Sequence, residues 1–261
     1  QAGSLMLSKL KNAVYALAKK WFCFLSTDLT STLPAGTVLV VAPHPDDETI
    51  GCGAAISRFC DEKRKVHVLV VTDGRRSPQS DIITPEALVV LRRQETLNAT
   101  KKLGLPEENI SFLNFEDGNT ETFIGGISRD IGAHIALLSP AIIFAPHHLD
   151  EHSDHRAIAA IVGGLQDEGK FSGVLLHYPV WYRISAWPYG LLRCLLSPAM
   201  LMNCRRLDTE GFLGRKAEAL SEHRSQFENL TGEKGWYFSS KTAFDRFSAS
   251  EIFFERSGKS R

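Results

Sequence analysis

The chain has 261 residues, 43% of them hydrophobic and 23% charged, and its 30 basic and 30 acidic side chains cancel to a formal net charge of +0. That length can bury a sizeable core, that apolar content excludes a disordered chain, and the lack of a basic surplus excludes a general nucleic-acid binder. Five cysteines, an odd number with no CxxC pair, argue against a disulfide scaffold and against zinc held by cysteine clusters. The simpler reading is a reducing, cytoplasmic setting.

Residues 5–25 read as an amphipathic helix with lysines on one side. It is expected to pack on the domain or on a second subunit, or to touch a membrane surface peripherally. Its apolar run is broken by Lys19 and Lys20, which makes a poor signal peptide, and no stretch reaches the ~18–20 apolar residues of a spanning helix. Residues 37–43 (TVLVVAP) are a buried strand by their β-branched apolar run. Helical spacing follows over 50–63, then a strand over 66–72 closed by Asp73-Gly74. Residues 85–103 form a helix with Pro at its start and Gly104 just beyond its end. A strand over 109–115, a helix over 124–138, a strand over 141–145, a helix over 154–165 and a strand over 174–180 continue the rhythm. It breaks at 181–207, a mixture of Trp, Pro, Arg and apolar runs expected to form a flap or subunit contact. Residues 214–226 look helical, and 236–254 look like a final strand or hairpin.

Strands alternating with helices at this spacing define an α/β protein: a Rossmann-like, doubly wound, mostly parallel sheet with helices on both faces, plus a C-terminal extension. The expected organisation is an N-terminal helical segment over 1–36 and a single domain over 37–261. Ligands of such sheets bind beyond the carboxyl ends of the strands, which places every βα loop on the functional rim.

Two of those loops carry chemistry. After the first predicted strand come His44, Pro45, Asp46, Asp47 and Glu48. Grouped acids there need a positive partner such as a metal ion, although a helix N-terminus also favours them. After the strand over 141–145, four of the nine histidines fall within nine residues: His147, His148, His152 and His155, with Asp150 and Asp154 among them. A polar surface loop is the alternative there. Together the two loops are far more specific, because the switch point of a doubly wound sheet brings them to one crevice. Two His and one carboxylate suit catalytic zinc with an open water position. The spacings of three in His44/Asp47 and His152/His155 fit one side of a tight turn, but spacing does not choose the ligands, and His147 and His148 remain rivals. Glu48 reads equally as an acceptor orienting a ligand or as a helix-start acid. Arg75 and Arg76 lie on the same rim, as an anion site or a solvated loop. Gly51 and Gly53 do not complete a dinucleotide fingerprint. His67, His177, Cys52 and Cys60 read as core residues.

At these residues the chain resembles the LmbE-like or PIG-L family of zinc-dependent N-acetylglucosaminyl deacetylases. The family's opening motif, (A/P)HPDDE, stands at Pro43–Glu48, and its HPDH motif at His152-Ser153-Asp154-His155, with Ser in place of the usual Pro. An RxxE and LG pattern appears at Arg92, Glu95, Leu103 and Gly104, and a late K…H.SQ pattern at Lys216, His223, Ser225 and Gln226. The resemblance implies that His44, Asp47 and His155 hold zinc, other divalent ions being acceptable to such a site. It implies that Asp46 is the general base, that His152 stabilises the oxyanion and protonates the leaving amine, and that Asp154 orients or charges His152. Arg92 and Asp117 resemble substrate contacts. The implied reaction removes the N-acetyl group from an N-acetylhexosamine conjugate, releasing acetate and a free amine. The alternatives are a metal-dependent hydrolase of another amide or ester bond, and a non-catalytic, metal-containing carbohydrate-binding protein whose ion is closed off by His147 or His148.

Overall fold

A computed structural model describes residues 24–77, 80, 82–180, 203–228, 230 and 251–256. Strand β1 (Thr27–Asp28) precedes β2 (Val38–Ala42), α1 (Asp47–Asp61), β3 (Val66–Thr72), α2 (Pro85–Lys102) and β4 (Ile110–Phe115). Then come α3 (Ile124–Leu138), β5 (Ile142–Pro146), α4 (Ser153–Asp167) and β6 (Val174–Tyr178). Strand β7 (Cys204–Arg206), α5 (Leu213–Glu222), α6 (Arg224–Phe227) and β8 (Phe253–Glu255) complete the described elements.

The eight strands form one sheet in the order β1-β7-β8-β6-β5-β2-β3-β4. Strands β2 to β6 are all parallel, with β2 paired to β3 on one side and to β5 on the other. The chain therefore winds outward from β2 in one direction and then restarts at β5 in the other, the Rossmann-like arrangement. Only β8 runs antiparallel, to β6 and β7.

Alternation along each strand sorts the side chains between two helical layers. Val38, Val40, Ala42, Val66, Val68 and Val70 face Ile50, Ile56 and Phe59 of α1, Leu103 beyond α2, and Leu220 of α5. Leu39, Val41, Leu69 and Val71 face Ile127, Ile131 and Ile135 of α3 and Ile158, Val162 and Leu165 of α4. Burial on both faces explains why the strands read as continuous apolar runs.

Two expectations shift. Helix α1 begins at Asp47, not at residue 50, so the acidic residues of the first loop occupy its first turn. Within the N-terminal segment expected to be helical, Thr27–Asp28 instead form a sheet edge, paired with β7 through Leu29 N–H to the Arg206 carbonyl and an Asp28–Arg206 ion pair. The predicted helix over 5–25 and the predicted flap over 181–207 lie largely outside the described residues; of the final region, only residues 251–254 fall within them. Among the described residues no helix is long and apolar enough to cross a membrane.

Candidate active site

The crevice between β2 and β5 collects the two loops. His44 lies just past β2 and Asp47 one turn on, in the first turn of α1; His155 lies in the first turn of α4, after β5. His44 Nδ1, Asp47 Oδ2 and His155 Nε2 form a near-equilateral triangle: 3.1 Å from His44 to Asp47, 3.1 Å from His155 to Asp47, and 3.2 Å between the two imidazole nitrogens. All three side chains are buried. Ligands about 2.0–2.1 Å from a tetrahedral ion stand about 3.3 Å from one another, so this donor set fits a divalent cation.

Each imidazole has a carboxylate on its other nitrogen, the arrangement that fixes the tautomer of a metal ligand. Asp150 Oδ2 lies 3.3 Å from His155 Nδ1. Asp154 Oδ2 and Asp117 Oδ1 lie 3.1 and 3.2 Å from His44 Nε2. Burial opposes charging these rings, but the surrounding carboxylates win: Asp117, Asp154 and Asp47 raise His44 well above its ordinary value, and Asp47 and Asp150 push His155 up to about 9. Asp47 is held far below the carboxylate range, against its burial, by His155 and His44. A pocket that draws protons onto its own imidazoles is one short of positive charge.

Asp46 shares the cleft. Burial pushes its carboxyl up to about 7, while Arg92, 3.1 Å away, pulls down and Asp47 pushes up. His152 lines the same cleft, with its ring 4.6 Å from that of His44. Its Nδ1 accepts the Asp154 backbone N–H at 3.3 Å, so the neutral ring carries its proton on Nε2. Burial, and then the neighbouring rings of His44 and His155, lower its pKa to about 4. Asp117, Ser77, Arg92, Val180 and Gln226 also line the cleft.

Several side chains have partners that the sequence did not reveal. The Asp154 carboxylate faces His44 and accepts from Gly118 N–H and the Thr120 hydroxyl at 2.7 and 2.8 Å; it also lies near the His152 ring and favours its charged form, while its hydrogen bond to that ring is through its backbone N–H. The cause is its place one residue into α4, which aims it toward the β4 loop. Arg92 is 2% exposed and donates to the carbonyls of Gly74, Ser77 and Pro45, so it braces the Asp46 loop from behind. Asp117 is engaged by His44 and by the Arg76 N–H. The guanidinium groups of Arg75 and Arg76 are paired with Asp73 and Glu116. His147 and His148 border a separate cavity with His177 and Phe254, and neither joins the convergent groups of His44, His152 and His155 or of His44, Asp117, His152 and Asp154.

Asp150 was not singled out in the sequence. It is 1% exposed, and its carboxylate takes the N–H groups of His152 and Val180 while facing His155. Its position two residues before His152, in a run dense with ligand-type residues, was the available signal. The late-pattern residues are anchors: Ser225 donates twice to Glu95, Gln226 donates to the Ser77 carbonyl, and Lys216 pairs with Glu251 at 2.6 Å.

A family model described as PIG-L: GlcNAc-PI de-N-acetylase matches residues 39–164, the span from β2 into α4 that builds this site. Over these residues the chain is similar to the LmbE-like or PIG-L family. It is 30% identical over 123 residues to the diacetylchitobiose deacetylase of Thermococcus kodakarensis, covering 46% of this chain and 45% of that one. It is 23% identical over 205 residues to a probable N-acetyl-alpha-D-glucosaminyl L-malate deacetylase 2 of Bacillus anthracis, covering 75% and 84%. In the first of these the match spans about half of the relative's length. The fold superposes on N,N'-diacetylchitobiose deacetylase from Pyrococcus horikoshii with a TM-score of 0.61 at 22% identity, over 85% of this chain and 83% of that chain.

Proposed function

We propose that the protein is a zinc-dependent N-deacetylase that hydrolyses the N-acetyl group of an N-acetylhexosamine conjugate to acetate and a free amine. The observation that carries this is the triangle of His44, Asp47 and His155 with the Asp46 carboxylate beside it in one cleft. The diacetylchitobiose and GlcNAc-malate deacetylases it resembles supply the substrate class.

His44 Nδ1, Asp47 Oδ2 and His155 Nε2 would hold the ion. When bound, zinc supplies a lowered pKa for water, from 15.7 to about 7, and polarisation of the acetyl carbonyl. Asp46 accepts a proton from the attacking water, and its place in the cleft beside the three ligand atoms suits a base that must also give the proton back. His152 directs Nε2–H into the cleft as the donor to the developing oxyanion, which needs the neutral tautomer set by the Asp154 N–H. Asp46, protonated once it has taken the water's proton, is the group placed to return that proton to the departing amine. Asp154 acts on the ring of His44, with Asp117, and Asp150 acts on His155. Arg92 holds Asp46, while the cleft faces of Arg92 and Asp117 border the space for the sugar.

Acetate release from a panel of N-acetylated amino sugars, with and without zinc, tests the proposal; no acetate from any of them sinks it. Asp46→Asn should keep stoichiometric zinc and lose about 100-fold or more in kcat, since the general base is gone while every ligand stays. A fully active variant would remove Asp46 from the mechanism.

A further inference from the structure

The backbone at Asp46 is strained, with φ +151° and ψ −24°, values an L residue with a side chain rarely adopts. One peptide unit sets that angle, the one joining Pro45 to Asp46, and both of its polar ends are gripped by buried charges. The Pro45 carbonyl accepts from Arg92 Nη2 at 2.8 Å, and the Asp46 N–H donates to Glu48 Oε2 at 3.1 Å. Glu48 is itself fixed. Its Oε1 accepts the Thr49 hydroxyl at 2.7 Å, and His223 Nε2 lies 3.2 Å from that hydroxyl and 3.5 Å from Oε1. Glu48, His223 and Arg92 are all 2% exposed or less.

We infer that Glu48 and Arg92 form a clamp on the Pro45–Asp46 peptide, and that Glu48 is a positioning residue that keeps the Asp46 carboxylate aimed into the cleft. A flipped peptide would turn the carbonyl of Pro45 toward the carboxylate of Glu48 and its N–H toward the guanidinium of Arg92, opposing like partners at both ends. The clamp thus selects one peptide orientation electrostatically and holds a conformation the residue would otherwise leave. Glu48 touches neither the triangle of ligand atoms nor the cleft. This inference rests on the deacetylase reading only for the consequence in turnover.

Two measurements on the full chain test it. With zinc bound, Glu48→Ala should lower kcat about 100-fold with KM within about threefold, the effect of misplacing a reacting group by about 1 Å. Glu48→Gln, which keeps an oxygen for the Asp46 N–H, should recover most of that loss, and bound zinc per chain should be unchanged in both. Wild-type kcat in Glu48→Ala would overturn the inference. The second measurement needs no substrate. Asp46→Gly should melt about 3 °C or more above Asp46→Ala, the reverse of the usual order, because glycine alone accepts the angle freely. In a Glu48→Ala background that gap should shrink, since the released peptide can relax. A gap that is absent, or unchanged by removing Glu48, would overturn the clamp even if acetate release is robust. If acetate is never released, the melting comparison still decides the clamp.

Discussion

At the scale of single residues, the site is a small set of buried charges in which each member restrains another. Arg92 illustrates the energetics. Among the described residues it is the largest fully buried side chain, it donates to three carbonyls, and it pairs with Asp46. Removing one partner of a buried pair costs about 3–5 kcal/mol, because the other is left uncompensated. Arg92→Met should lose stability of that order in urea denaturation. Arg92→Lys should recover little, because an ammonium cannot reach three diverging carbonyls as a planar fork does. A Lys variant with wild-type stability would show that charge, not geometry, is what matters. Gly74 belongs to the same arrangement: at φ +68° it passes beside the guanidinium, and a Cβ there would come within 2.7 Å of Arg92 Nη1. The residues that converge in the crevice were legible in the sequence because their types are costly to bury without a purpose. The partner of each was not, since Asp154 turns to His44 only because of its exact register on α4, and Asp150 shows its use only once His155 is placed beside it.

Helix α1 shows how an element carries such a site. It presents Asp47 and Glu48 in its first turn, where the helix dipole favours them, and packs its apolar face on β2 and β3. Its middle is anchored by an unusual pair. Glu251 accepts the N–H groups of Ala54 and Ala55 at 2.8 and 2.9 Å, while Lys216 donates to the Ile50 carbonyl at 2.8 Å and to Glu251. A distant carboxylate and an ammonium thus enter the backbone ladder one to two turns below the end that bears Asp47 and Glu48. Glu251→Ala should destabilise by about 3–5 kcal/mol, leaving the Lys216 ammonium buried without its carboxylate, whereas the double replacement of Lys216 and Glu251 by apolar residues of similar size should cost less than the sum. Denaturant melts of both singles and the double decide it; strict additivity would mean the two side chains act separately. Gly51 gives a sharper steric check, because a Cβ there would lie 2.2 Å from the Tyr178 ring, whose hydroxyl is held by the Val41 carbonyl. Gly51→Ala should therefore destabilise despite alanine's better helix propensity. The parallel strands and covering helices were readable from period and punctuation. Strand β8 was read only as part of a wider region, because three residues carry too little pattern, and α1 was started late because its first turn is polar for reasons of chemistry.

For the whole molecule, the sheet order does what neither loop does alone. The reversal between β2 and β5 brings residues 111 positions apart, His44 and His155, to 3.2 Å. The same topology leaves a second histidine group on the far side of the β5 loop, and that group sets a pH dependence separable from metal. Burial, and then His148 and His177, depress His147 to about 3; burial is likewise the main cause that brings His177 to about 4, against the hydrogen bond from its Nδ1 to the Pro146 carbonyl. Both rings are neutral in the folded state where an unfolded histidine, with a pKa of about 6.5, is charged. The unfolded chain therefore binds more protons between about pH 6.5 and 4, and the folded state loses stability as the pH falls through that window. His177 alone should account for about 1.4 kcal/mol per pH unit across most of it. His177→Gln cannot titrate, so its stability relative to the wild type should improve as the pH is lowered from 7.5 to 5. Urea midpoints of the two metal-free proteins at pH 7.5, 6 and 5 measure that difference directly. Comparing them without metal keeps ion binding in the crevice out of the result, and because the rings of His44 and His155 are held protonated when metal-free, they add no slope below pH 6.5. A gap that stays constant with pH would mean that His177 takes up its proton in the folded state.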